Sequence, residues 1–145
     1  MADLLALAKW CNDLPARIEL AASAAAVAAV KAMDNDLVEV TPVDTTEAVS
    51  NWQVGINEAP YFGLPAIFPG VHGSTAPESR DAAIQHVNRV LELKEPGEKV
   101  YLSNLVPYIE DLNNGSSSQA PAGFVDRAII IGEQSVRSFQ FKVAA

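Results

Sequence analysis

Residues 16–33 read ARIELAASAAAVAAVKAM, and alanine, the strongest helix former, fills eight of the positions from 21 to 32. Ile18, Ala22, Ala25, Ala29 and Met33 recur at helical spacing and define one face. Small side chains there let a neighbouring helix or sheet approach closely, so packing is the role expected of the run. Upstream, Leu4, Leu5, Leu7 and Ala8 supply the apolar positions of a first helical segment. Pro15 is expected to break it near residues 12–14, with Asn12 or Asp13 capping a new helix that holds the proline in its first turn. The acidic DND at 34–36 should end that helix, giving a helical N-terminal segment over residues 1–36.

Beyond it, LVEVTPV at 37–43 is β-branched and expected to be extended, with Pro42 at an edge or an end. Asp44 and Thr45 open a single turn that Thr45 or Thr46 caps. NWQVGIN at 51–57 alternates Trp52, Val54 and Ile56 with Gln53, Gly55 and Asn57, the pattern of a half-buried strand. Residues 58–76 form a long loop rich in proline and glycine, whose Tyr61, Phe62 and Phe68 need a surface to cover; loops of that length tend to be functional or to lie against a partner. A helix over 77–94, a strand KVYLS and a short helix ending at Gly115 follow, with glycine placed for a left-handed cap. A polar loop occupies 115–122. Val125, Ala128, Ile129, Gly132 and Val136 predict a further helix, and FQFKVAA at 139–145 alternates like a strand or an extended arm. The length suits one domain over residues 1–145.

A mix of 49% apolar and 19% charged residues is that of an ordinary globular protein. A lone Cys11 cannot form an internal disulfide, which fits a reducing cytoplasm as the place of folding. The start has no basic region ahead of an apolar one, and the apolar stretch at 20–30 is far short of the roughly 20 residues that span a bilayer, so no membrane association is expected. The net charge of −8 is concentrated: no Lys or Arg lies between Lys31 and Arg80, where Asp34, Asp36, Glu39, Asp44, Glu47, Glu58 and Glu78 all fall. Scattered basic residues disfavour affinity for nucleic acid. In a ring of copies, those seven acids could instead line a central passage and repel a polyanion; in a monomer they simply aid solubility.

Machinery for catalysis is not visible. His72 and His86 lack metal-ligand spacing to any partner, the serines at 116–118 lack a nucleophile-elbow context, and no glycine-rich phosphate motif occurs. Neighbouring Glu110 and Asp111 read as a solvated helix face. No catalytic, metal or cofactor residue is assigned, and no enzyme activity is expected.

VDT at 43–45 precedes NW at 51–52, and VYLSNLVPYIEDLNNGSSSQAPAGFVDRAI occupies 100–129. The pattern resembles the neck or tail-completion proteins of long-tailed bacteriophages, in which a VDTG turn precedes a tryptophan strand and Y-x-S-N-x-x-P-Y-A-x-x-L-E-x-G runs into S-x-Q-A-P-x-G. About 100 residues carry the likeness, and the second block is its more specific part. Thr46 stands where that family often has glycine, Ile109 where it often has alanine, and asparagine where it has glutamate before Gly115. Asp44, Thr45, Trp52, Tyr108, Leu112, Gly115, Ser118, Gln119, Pro121 and Gly123 are the motif residues, and the resemblance makes them candidates for assembly. It implies an α+β protomer, an N-terminal Ala-rich helix and further helices packed on a small, mainly antiparallel sheet, in a homo-oligomeric ring of six or twelve copies in the virion neck, made and assembled in the host cytoplasm. Such a ring joins a portal-adaptor stack to a tail tube or terminator protein, with DNA passing through unbound. It implies no cofactor. On this reading Tyr108 and Leu112 pin the short helix to the sheet, and the serines project until Pro121 and Phe124 return the chain. Two other readings stand beside it: a tail-terminator ring, and a small cytoplasmic enzyme or ligand-binding domain with Asp44, Trp52 and His72 around one pocket.

Overall fold

The computed structural model describes residues 2–141. Its elements follow in the order α1 (Ala2–Val40), α2 (Glu47–Ser50), β1 (Trp52–Ile56), α3 (Ala76–Leu91), β2 (Val100–Asn104), α4 (Ile109–Asn113) and α5 (Phe124–Ser138). The class is α+β, with helices against a two-stranded antiparallel sheet in which Trp52 faces Asn104, Val54 faces Leu102 and Ile56 faces Val100.

The largest departure from the sequence reading is α1, a single helix of 39 residues with Pro15 inside it. At 1.5 Å per residue it is about 58 Å long. Neither the break at 12–14 nor the turn at 34–36 occurs. Proline removes one N–H and crowds the turn before it, but the alanine-rich run that follows has the propensity to carry the helix through. At the other end burial decides. Continuing the helix through DNDLVEV puts Leu37 and Val38 in the core, where both are fully buried, and this outweighs the β preference of the valines. The helix stops where residue 41 precedes Pro42, a position at which the α conformation is disfavoured.

The later turns of α1 lie between two layers. On one side α5 runs antiparallel to it: Gly132 sits against Ala29 and Met33, and the Arg127 guanidinium reaches the Asp36 carboxylate at 2.7 Å. On the other side are α3 and the sheet. Leu37, Val38, Val43, Val49, Trp52, Ala83, Phe124 and Ala128 form the main core. Val54, Val87 and Leu91 form a smaller cluster, against which Val27 and Val30 pack. The Trp52 indole N–H donates to the Thr41 hydroxyl at 2.9 Å, and that hydroxyl donates to the Leu37 carbonyl at 2.6 Å, so the one polar atom of the buried ring is satisfied. The AIII segment is helical within α5. After it Phe139 is extended and its ring meets Phe141 edge to face at 5.3 Å; residues 142–145 of the expected arm lie outside the described residues.

Candidate functional site

Strand β1 is not half-buried. Gln53, on the face opposite Trp52 and Val54, is buried too, because the long loop folds back over it. Short polar side chains hold that loop by its backbone. The amide of Asn51, only 1% exposed, accepts from the Leu64 N–H and donates to the Leu64 carbonyl, each at 2.7 Å, and donates again to Glu47 at 2.9 Å. Gln53 donates to the Phe62 carbonyl at 3.2 Å, and Ser50 accepts from the Ile67 N–H at 3.0 Å. The hydroxyls of Thr46, Thr75 and Ser79 lie 2.8, 2.6 and 3.2 Å from the Phe68 carbonyl, and Asp44 accepts from the His72 N–H at 3.0 Å.

With its main chain bonded to the body, the loop turns Leu64 and Ala66 partly inward and its larger apolar side chains outward. Tyr61 is 83% exposed, and Phe62, Phe68 and Val71 are exposed beside it. Their own protomer covers these aromatics only in part, so the surface they need is not fully supplied within it. In the sequence Asn51 and Gln53 read only as polar residues of a half-buried strand and Ser50 as the end of a turn; the loop's return shows what they serve.

A second surface gathers five of the ten motif residues, Asp44, Thr45, Tyr108, Leu112 and Gln119. Pro42, Asp44, Thr45, Thr46, Glu47 and Ala48 form one wall of a cleft of about 230 Å³, and Tyr108, Leu112, Ser117 and Gln119 form the other. The side-chain carbonyl of Gln119 accepts from the Val43 N–H at 2.9 Å and ties the two walls together. The Tyr108 hydroxyl approaches the Glu47 carboxylate at 3.5 Å. Burial, followed by the Glu47 and Asp44 carboxylates, pushes the Tyr108 phenol above its ordinary range, so it stays a donor. Tyr108 thus reaches α2 rather than the sheet, and only Leu112 packs on the core.

The polar loop is fastened at its middle as well as its ends. Gln119 is bonded, Ala120 is buried, and Gly115 touches Ala122 across the loop's neck with φ of 93°. The Gly123 N–H donates to the Asn113 carbonyl at 2.7 Å, and Asn113 accepts from the Val125 N–H at 2.9 Å, which closes the loop onto α5. Ser118 and Pro121 are exposed. Trp52 lies apart from this cleft, beside a separate hollow with Leu102, Ile109 and Val125, so Asp44, Trp52 and His72 do not surround one pocket.

The acids divide. Asp34 is 1% exposed, and its Oδ1 has no hydrogen-bond partner; a carboxylate inside the protomer cannot line a channel, which removes it from that set. Burial raises its pKa from 3.8 to about 7. Asp36 is paired with Arg127, while Glu39, Asp44, Glu47, Glu58 and Glu78 remain exposed. Among the described residues no three His, Cys, Asp or Glu side chains come together as a metal centre requires, and no helix is long and apolar enough to cross a membrane.

The third surface is the first half of α1. Leu4, Leu5, Leu7, Trp10, Ile18 and Leu20 are all exposed, with Leu5 at 79%. Full burial on this helix begins only at Ala25.

Compared with family models, curated proteins and solved structures, the chain matches none.

Proposed function

We propose that this chain is a structural protein of a long-tailed bacteriophage virion, forming a ring at the head–tail junction in the neck or tail-completion position. The observation that carries the reading is the pair of apolar surfaces left outside the protomer: the projecting half of α1, and the loop side chains Tyr61, Phe62, Phe68 and Val71. Monomeric proteins rarely leave apolar patches of more than a few hundred Å² in water, and larger ones mark sites of association. Two different patches on one chain suit a head-to-tail contact, the kind that generates rings when the rotation closes. The likeness of the VDT, PYIEDL and SSSQAPAG segments to neck proteins gives the ring its place. Consistent with that likeness, residues 42–48 and 108–119 share one cleft although some sixty positions separate them in sequence.

In this role the protein joins the portal-adaptor stack to the tail tube in six or twelve copies, without a cofactor or a catalytic step. The net charge of −8 lets DNA pass through without sticking. The test is a virus lacking the gene, complemented with wild-type protein or with the Tyr61→Ser/Phe62→Ser variant. Full heads and finished tails should accumulate unjoined without the protein, and joining should fall at least tenfold with the variant. Normal joined particles in the absence of the protein would refute the reading.

A further inference from the structure

Because α1 runs unbroken past Pro15, the residues before and after it share one helical face. On that face Leu4, Leu7, Cys11, Leu14 and Ile18 alternate spacings of three and four, the seam of a coiled coil. Among the described residues neither core cluster includes it: Leu4, Leu7, Cys11 and Ile18 are exposed and Leu14 is half-buried. Further along α1 the same face is occupied. Asp36, eighteen residues or five full turns beyond Ile18, is paired with Arg127 of α5, and Ala29 and Met33 meet Gly132.

We infer that in the free protein this seam pairs with the same seam of a second copy, the two α1 arms running antiparallel. Self-complementarity names the occupant. Leu4 of each copy stacks against Leu14 of the other and Leu7 against Cys11, so one pattern serves both sides. Sterics choose the direction. In a parallel pair both bodies, with their α5 helices, would stand side by side in the seam beyond Ile18, whereas in an antiparallel pair the two bodies sit at opposite ends. Charge agrees, since the antiparallel order sets Asp3 of each copy beside Arg17 of the other. Arg17 already has a contact in its own chain, and a guanidinium has donors enough for both.

Such a pair has two-fold symmetry, and neighbours in a cyclic ring do not. Arm pairing is therefore a state of the protein before assembly, covering an apolar stripe that would otherwise meet water. It extends the ring reading without depending on it.

Sedimentation of the full chain at tens of micromolar tests the pairing. The expected mass is twice the 15.4 kDa of one chain. Leu7→Glu/Leu14→Glu should return the single-chain mass while keeping a cooperative thermal transition, lowered only by the lost pairing, and Lys9→Glu, off the seam, should leave the dimer intact. Direction is read by oxidation: Leu7→Cys, with Cys11 kept, should give a disulfide-linked dimer, and the wild type should not cross-link through Cys11 alone. A monomeric wild type, or a dimer that survives the double glutamate change, overturns the pairing. Ready Cys11–Cys11 cross-linking of the wild type overturns the antiparallel order. A monomer that still joins heads to tails removes this inference and leaves the neck reading standing; a dimer that has no part in joining does the reverse.

Discussion

Thr46 shows how much a single position carries. It enters α2 with φ of 69°, in the left-handed region that costs a β-branched residue roughly 1 kcal/mol or more. Its side chain does not cap the helix; the hydroxyl turns to the Thr45 and Phe68 carbonyls instead. The resembled family often places glycine here, which occupies that region without strain. Thr46→Gly should therefore be more stable than Thr46→Ala by about 1 kcal/mol, the reverse of the usual order, as measured by urea denaturation. Asp34 offers a second test. Its pKa is about 7 in the folded chain against 3.8 for an aspartate in water, so the folded state holds a proton that the unfolded state releases. Stability should be unaffected below pH 4, fall as pH rises from about 4 to 7, and stay low above that, by as much as about 4 kcal/mol. Asp34→Asn should flatten this slope and be the more stable protein at pH 8. Trp52 as a buried strand residue and Gly115 as a left-handed cap were legible in the sequence, because each depends on local pattern. The burial of Asp34 was not, because an aspartate in so acidic a run reads as a solvated turn until distant segments enclose it.

At the level of elements, most types were readable: β1 from its alternation, α3 from its proline start, α5 from the spacing of its apolar residues. Failure came where tertiary burial overrode propensity. The segment 37–40 has the composition of a strand and is the last turn of α1, because only the helical continuation delivers Leu37 and Val38 to the core. The α1–α5 contact rests on Gly132, where an added Cβ would run into the Met33 side chain and approach the Ala29 carbonyl at 3.9 Å. Gly132→Ala should be accommodated by a rotation of Met33. Gly132→Val should separate the helices and cost about 1–3 kcal/mol, seen as a lowered thermal midpoint without a change in fold.

For the whole molecule, the decisive feature is what the core leaves out. Its polar residues go inward to hold a loop, and the apolar residues of that loop and of the arm go outward, an inversion that composition alone does not reveal. A chain beginning at residue 16 should keep the melting temperature of the full protein to within a few degrees, since among the described residues the leucines it loses belong to neither core cluster. The same chain should no longer be retained in particles. The motif cleft was only partly legible: the sequence identified its residues by likeness, but the Gln119 bond to Val43 that joins its walls needed the fold. The most direct test of the assembly role is hydroxyl-radical labelling of Tyr61, Phe62, Leu4 and Leu7, read by mass spectrometry in the free protein and in purified virions. Tyr61 and Phe62 should label strongly when free and at least fivefold less in virions; equal labelling in the two, or absence of the protein from the particles, would contradict the account.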